Sequence, residues 1–350
     1  MKRGILLFPL LLACLSVLAS GAHGQAGVKP DGTVTASSVV IPYSSLASPQ
    51  ARAFFPKMLA AGAKAPPIDA PIEQSRRFYD RLNSDRVARM RKLYPVTVRH
   101  ETIAGVGADV VLPAQGVSAA NRHRVLINLH GGAFLWGAGS GGLVEAIPIA
   151  SLGHIEVITL DYRQAPEHVF PAASEDVEAV YRELLKRYQP KQIGIYGCSA
   201  GGALTGEAVA RFIVDKLPVP GAIGTFCASL VASGGDSAYV GPLLNGQGVP
   251  AHAFDLTTLP YFRGAKADDP MVQPGRSPDL LRRFPPTLLI TGTRDMAMSS
   301  VVHSQALLAQ AGVEAELHVW EGMWHSFFSD PELPNRSRPT APSWRSSTAT

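Results

Sequence analysis

Between residues 94 and 320, short apolar runs rich in β-branched residues alternate with stretches whose apolar positions recur every three to four residues. Runs of the first kind cover 96–102, 109–112, 124–129, 155–160, 192–196, 223–229, 287–291 and 315–320. In the first helical stretch between them, Val177, Val180, Tyr181, Leu184, Leu185 and Tyr188 share one face, with Ser174 as the expected N-cap. Helices are also predicted over 200–214 and 300–311, the latter stopped by Gly312. Strand and helix in alternation predict an α/β fold with a mostly parallel central sheet. Ligands in such sheets gather at the carboxyl ends of the strands. Upstream, a helix is expected over 49–63, and two shorter ones over 71–93 that restart at Ser84.

The 350 residues are 46% hydrophobic, which excludes a disordered chain, and three cysteines exclude a disulfide scaffold. A formal net charge of +4 raises the question of a nucleic-acid partner. Lys2 and Arg3 carry two of the surplus charges, and Arg336, Arg338 and Arg345 lie in a terminal segment that has no acid. The chain between these segments is within one charge of neutral, so no basic footprint remains and no nucleic acid is expected. The basic run 86–92 interleaves Val87 and Met90, as a solvated helix face does.

Lys2 and Arg3 precede an apolar run over 5–19 and small residues at 21–24, the pattern of an export signal. Residues 1–24 are therefore expected to be a signal peptide, and the protein exported, periplasmic or extracellular. Membrane contact is expected only if Cys14 is lipidated or the segment stays uncleaved. Residues 25–48 are polar and expected as a linker. Cys198 and Cys227 are expected as buried free thiols, and their spacing shows no metal-site pattern.

Gly197-Cys198-Ser199-Ala200-Gly201 matches G-x-S-x-G and falls between a predicted strand and a predicted helix. In that setting the serine sits on a tight turn, and Ala200 offers its backbone N–H where the helix dipole favours negative charge. A serine hydroxyl needs a base, and the base needs an orienting acid. Asp295 follows the strand predicted at 287–291, and His325 follows the one at 315–320, so chain order and sheet edge both suit Ser199, Asp295 and His325 as a catalytic set. His130-Gly131-Gly132-Ala133 follows the strand at 124–129. Glycines there let bare N–H groups reach a substrate oxyanion, so Gly131, Gly132 and Ala200 are the expected oxyanion donors. Phe134 and Trp136 are candidates for the pocket wall, as are Phe54, Phe55 and Met58. This chemistry needs no metal and no organic cofactor.

Four ordered motifs resemble the hormone-sensitive lipase family of α/β-hydrolase esterases and lipases. They are His130-Gly131-Gly132, then the run from Asp161 to His168 (DYRQAPEH), then Gly197 to Gly202, and then Glu316 to His325. The resemblance covers about residues 50–333. It implies an α/β-hydrolase core over 94–333 with a helical cap, drawn from 49–93 and from an insertion at about 230–282. It also implies a serine carboxylesterase acting through an acyl-enzyme on small-molecule esters of short to medium acyl chain. Asp161, Arg163 and Glu167 would then brace the glycine loop.

Three positions depart from the family's pattern. Cys198 stands where Asp is usual, yet only the central residue of such a turn points into the site, which favours Ser199 over Cys198 as nucleophile. Ala133 replaces a third glycine. Residues 334–350 show no helical period where the family continues with a long amphipathic helix, so a disordered tail is expected. Gly137, Gly139 and Gly142 spell a dinucleotide fingerprint, but Gly137 lies several residues past its strand, where pyrophosphate would not meet the strand end. The remaining alternative, a non-catalytic small-molecule-binding protein on the same fold, is disfavoured by His325.

Overall fold

Eight strands form one sheet in the order β8-β7-β6-β5-β3-β4-β2-β1. They are β1 (Val96–Ile103), β2 (Val106–Pro113), β3 (Val125–Leu129), β4 (Glu156–Leu160), β5 (Ile193–Cys198), β6 (Ala222–Phe226), β7 (Thr287–Gly292) and β8 (Ala315–Trp320). β3 to β8 run parallel, whereas β2 is antiparallel to both β1 and β4. This is the expected α/β-hydrolase architecture, and its central strands are buried along their whole length. The computed structural model describes residues 27–36 and 39–333. The expected signal peptide, Cys14 and the 334–350 tail lie outside the described residues.

The chain divides into two units, 1–42 and 43–350. In the first, Gly27–Val28 pairs with Val34–Thr35 as a short antiparallel ribbon, within the stretch expected to be linker. The second holds the sheet and helices α1 (Pro49–Gly62), α2 (Ile72–Leu93), α3 (Ser140–Gly153), α4 (Ala172–Leu184), α5 (Ala200–Val214), α6 (Ser237–Leu244), α7 (Pro278–Leu281) and α8 (Met298–Gln310).

Alternating side chains of each strand feed two cores. Ile127, Ile195 and Leu289 meet Val180, Leu204 and Val301 of α4, α5 and α8 on one face. Leu126 and Tyr196 meet Met90 of α2 and Val144 and Ile147 of α3 on the other. On that second face α1 packs Phe54 against Leu288, Ile290 and Trp324. A cavity of about 770 Å³ also opens there, lined by Tyr196, Phe226, Ile290, Ile149, Met90 and Glu145 among others.

Two local expectations are corrected. Residues 72–93 form one continuous helix, because neither Pro nor Gly interrupts the stretch, so Ser84 lies in its interior. Ser174 is not an N-cap: α4 begins at Ala172, and the Ser174 hydroxyl donates back to the Pro171 carbonyl at 2.9 Å.

Candidate active site

Ser199 occupies the turn between β5 and α5 with φ +56° and ψ −121°, a conformation costly for a residue with a Cβ. Its own N–H donates to the Phe226 carbonyl at 2.8 Å, which pins the turn to β6. The helix approaches so closely that a Cβ on Gly201 would lie 1.7 Å from the Leu129 carbonyl oxygen. Gly201→Ala is therefore expected to cost about 3 kcal/mol of stability, checked by urea unfolding, since a strand backbone cannot move aside as a side chain can.

His325 lies on the loop after β8 and Asp295 in the turn after β7. His325 Nε2 is 2.9 Å from Ser199 Oγ, and Nδ1 is 2.8 Å from Asp295 Oδ1. Asp295 is 0% exposed, and its oxygens also accept from the Ala297 N–H and the Thr291 hydroxyl, both at 2.9 Å. Burial opposes its ionisation, but the neighbouring imidazole and the Ala297 N–H outweigh burial and hold the carboxyl below its ordinary range. For His325, burial disfavours the imidazolium, yet the charge and hydrogen bond of Asp295 prevail and raise its pKa above 6.5. With Asp295 ionised, Nδ1 donates to it, and Nε2 is left as acceptor for the serine proton. With His325 neutral, the chain of three can take the proton of a serine hydroxyl.

Cys198 and Cys227 are free and buried. The Cys198 thiol faces the Ser326 hydroxyl at 2.8 Å, and burial pushes its pKa up, as it does for Cys227. Neither is therefore an activated thiolate. Possible ligand atoms of Cys227, Asp295 and His325 cluster within 4.8 Å, but the Asp295–His325 hydrogen bond already accounts for two of the three.

The loop after β3 bends through positive φ at Gly132 (126°), Ala133 (55°) and Phe134 (58°). A Cβ on Gly132 would fall 1.9 Å from the Trp136 carbonyl oxygen, so the bend requires glycine there. Gly131, expected as an oxyanion donor, is not free for that role: its N–H donates to Glu145 Oε1 at 2.8 Å. Among the described residues no group takes the N–H of Gly132, and Ala200, first in α5, has no intrahelical acceptor for its own.

Asp161 braces this loop by accepting the Gly139 N–H at 2.6 Å. Glu167 acts through Arg76, which pairs with it at 2.7 Å and donates to the Leu135 carbonyl at 3.0 Å. Arg163 does not brace the loop; it pairs with Asp176 at 2.8 Å and bonds the Ala172 carbonyl at the start of α4. Tyr162 and Gln164, which sequence reasoning did not single out, bond the carbonyls of His130 and Trp136.

A cavity of about 420 Å³ opens beside Ser199 and His325. Val231, Phe254, Leu256, Val272, Ala203 and Met296 supply much of its apolar wall, so residues 230–282 contribute heavily and 49–93 not at all. Phe134 and Trp136 do not line it. Phe134 is 0% exposed and stacks on Tyr261 at 4.4 Å, because the left-handed backbone at 133–134 turns its ring inward. Trp136 stacks on Tyr79 of α2, also at 4.4 Å. Phe54, Phe55 and Met58 belong to the α1 contact with Trp324.

Residues 126–329 match the family described as alpha/beta hydrolase fold. "Carboxylesterase/phospholipase LipF" of Mycobacterium tuberculosis is 32% identical over 235 residues, which are 64% of this chain and 62% of LipF. The chain thus spans less than two thirds of that relative. "Esterase LipU" of the same organism is 32% identical over 230 residues, covering 63% of this chain and 74% of LipU. Among solved structures, the esterase E25 superposes with a TM-score of 0.71 at 31% identity, over 85% of this chain and 94% of E25. An esterase from the bacterial hormone-sensitive lipase family also gives 0.71, at 25% identity over 82% and 93%. Fold, strand order and these similarities agree: the chain belongs to the α/β-hydrolase fold family and, within it, to the hormone-sensitive lipase group.

Proposed function

We propose that this protein is a serine carboxylesterase with Ser199 as nucleophile. The observation that carries the reading is the hydrogen-bonded chain from Ser199 Oγ through His325 to the buried Asp295. His325 Nε2 takes the serine proton as Oγ adds to the ester carbonyl. The carbonyl oxygen becomes an oxyanion, met by the N–H groups of Gly132 and Ala200. His325 then gives the proton to the leaving alcohol, and the acyl-enzyme forms. Water, deprotonated by the same imidazole, releases the acid and restores Ser199. Protein groups supply each proton transfer and each donor in this sequence.

A cavity of about 420 Å³ with apolar walls suits an acyl chain of short to medium length. The names of the relatives, carboxylesterase, esterase and acetyl-hydrolase, are in keeping with such substrates. Across p-nitrophenyl esters from acetate to palmitate, kcat/KM is expected to peak between butyrate and octanoate and to fall at least about tenfold by palmitate. Hydrolysis of none of these esters would overturn the reading. The proposal includes export, supported by Lys2, Arg3 and the apolar run that follows them. Mass spectrometry of the mature N-terminus tests it: a protein that still starts at Met1 contradicts cleavage.

A further inference from the structure

One half-buried carboxylate has no task in the reaction just described. Glu145 is the lone acid in an apolar stretch of α3, flanked by Val144, Ala146 and Ile147. Oε1 accepts the Gly131 N–H at 2.8 Å, and Oε2 accepts from Asn128 Nδ2 at 3.0 Å. The backbone N–H of Cys198 lies near enough to favour its ionisation. Asn128 is held in that orientation because its Oδ1 accepts the Thr159 hydroxyl at 2.7 Å. A single carboxylate therefore joins the end of β3 to the first glycine of the loop, and that glycine packs against the turn: a Cβ on Gly131 would lie 3.0 Å from the Cys198 carbonyl oxygen and 3.5 Å from Ser199 Cβ.

Everything that meets Glu145 is a donor. Among the described residues no Lys or Arg bonds to it, so its charge is balanced by N–H groups rather than by a counter-ion. Only an acceptor with no proton of its own satisfies both donors; an amide would set its NH₂ against one of them. Burial outweighs the pull of Asn128, Gly131 and Cys198 toward ionisation and leaves the carboxyl pushed up to about 7.

We infer that Glu145 is a positioning residue for oxyanion stabilisation: its carboxyl group fixes the glycine loop relative to the turn that carries Ser199 and Ala200. Gly132 and Ala200 belong to different segments, and Glu145 holds Gly131, the neighbour of Gly132, where it packs against Cys198 and Ser199. Without that tie the two N–H groups lose their set separation. The cost falls on the transition state, where the oxyanion exists, and not on ester binding.

The inference rests on the esterase reading, and the test separates the two. Wild type, Glu145→Gln and Glu145→Asp are compared on p-nitrophenyl butyrate. Active sites are counted by fluorophosphonate titration, so that misfolded protein drops out. For Glu145→Gln, kcat per site is expected to fall about 10–10²-fold. KM should stay within about twofold. Glu145→Asp, which keeps the charge, should recover part of the loss. Hydrogen exchange at the Gly131 amide should speed up about tenfold or more in Glu145→Gln. In the wild type that amide should exchange as slowly as those of β5. A kcat per site within twofold of wild type, or unchanged exchange at Gly131, overturns the inference. So does a fast Gly131 amide in the wild-type protein, a result that needs no variant to fold. If wild type hydrolyses no ester, the esterase reading fails, while the exchange comparison still decides whether Glu145 holds the loop.

Discussion

Replacing Ser199 by alanine is expected to lower kcat on p-nitrophenyl butyrate on the order of 10⁶-fold, the scale of loss when subtilisin loses its nucleophile. The fold should be indifferent to the change. Among the described residues the one side-chain hydrogen bond of Ser199 is that to His325, and alanine tolerates the positive φ no worse than serine does. The melting curve of Ser199→Ala should therefore overlay that of the wild type. The contrasting variant is Cys198→Ala. Its thiol is 2% exposed, raised in pKa and turned toward Ser326, so its removal should leave most of the activity. An active Ser199→Ala beside an inactive Cys198→Ala would move the nucleophile by one residue.

Asp295→Asn should cost about 10⁴-fold in kcat, because an amide cannot favour the tautomer that leaves Nε2 free to accept. It should also shift the pH profile, in a direction set by the terms acting on His325. In the wild type, burial disfavours the imidazolium, and the Asp295 charge and hydrogen bond outweigh it, leaving the pKa above 6.5. The base acts only when neutral, so kcat/KM should rise with pH through a midpoint above 6.5. Removing the Asp295 charge leaves burial unopposed, and the midpoint should drop below 6.5. Glu145, at about 7, titrates in the same range, so the shift between the two proteins is the diagnostic quantity. An acid limb that stays in place in Asp295→Asn would mean that Asp295 does not tune the base.

Ser199, Asp295 and His325 were legible in the sequence because each follows an apolar run readable as a strand, in the order this fold imposes. The parallel sheet brings the ends of those strands together, so linear order was enough to predict proximity. Backbone donors were harder. The His-Gly-Gly run marks the loop, but no pattern shows that the Gly131 N–H turns toward Glu145 while that of Gly132 stays unclaimed among the described residues. Glu145 itself could have been suspected: an isolated carboxylate in an apolar helical stretch must find buried partners. Phe134 misled for a related reason, since a ring beside a reactive loop reads as pocket wall until the positive φ at 133–134 turns it inward. Residues 230–282, which supply much of the cavity wall, follow neither the strand period nor the helix period. Their contribution arises from folding over the sheet edge and leaves little periodic signal.

The most direct test of the reading is intact and peptide mass spectrometry after exposure to a fluorophosphonate. One adduct per chain is expected, on the peptide that contains Ser199, with none on Ser199→Ala. An unlabelled Ser199 in folded protein, or a label on Cys198 instead, would contradict it.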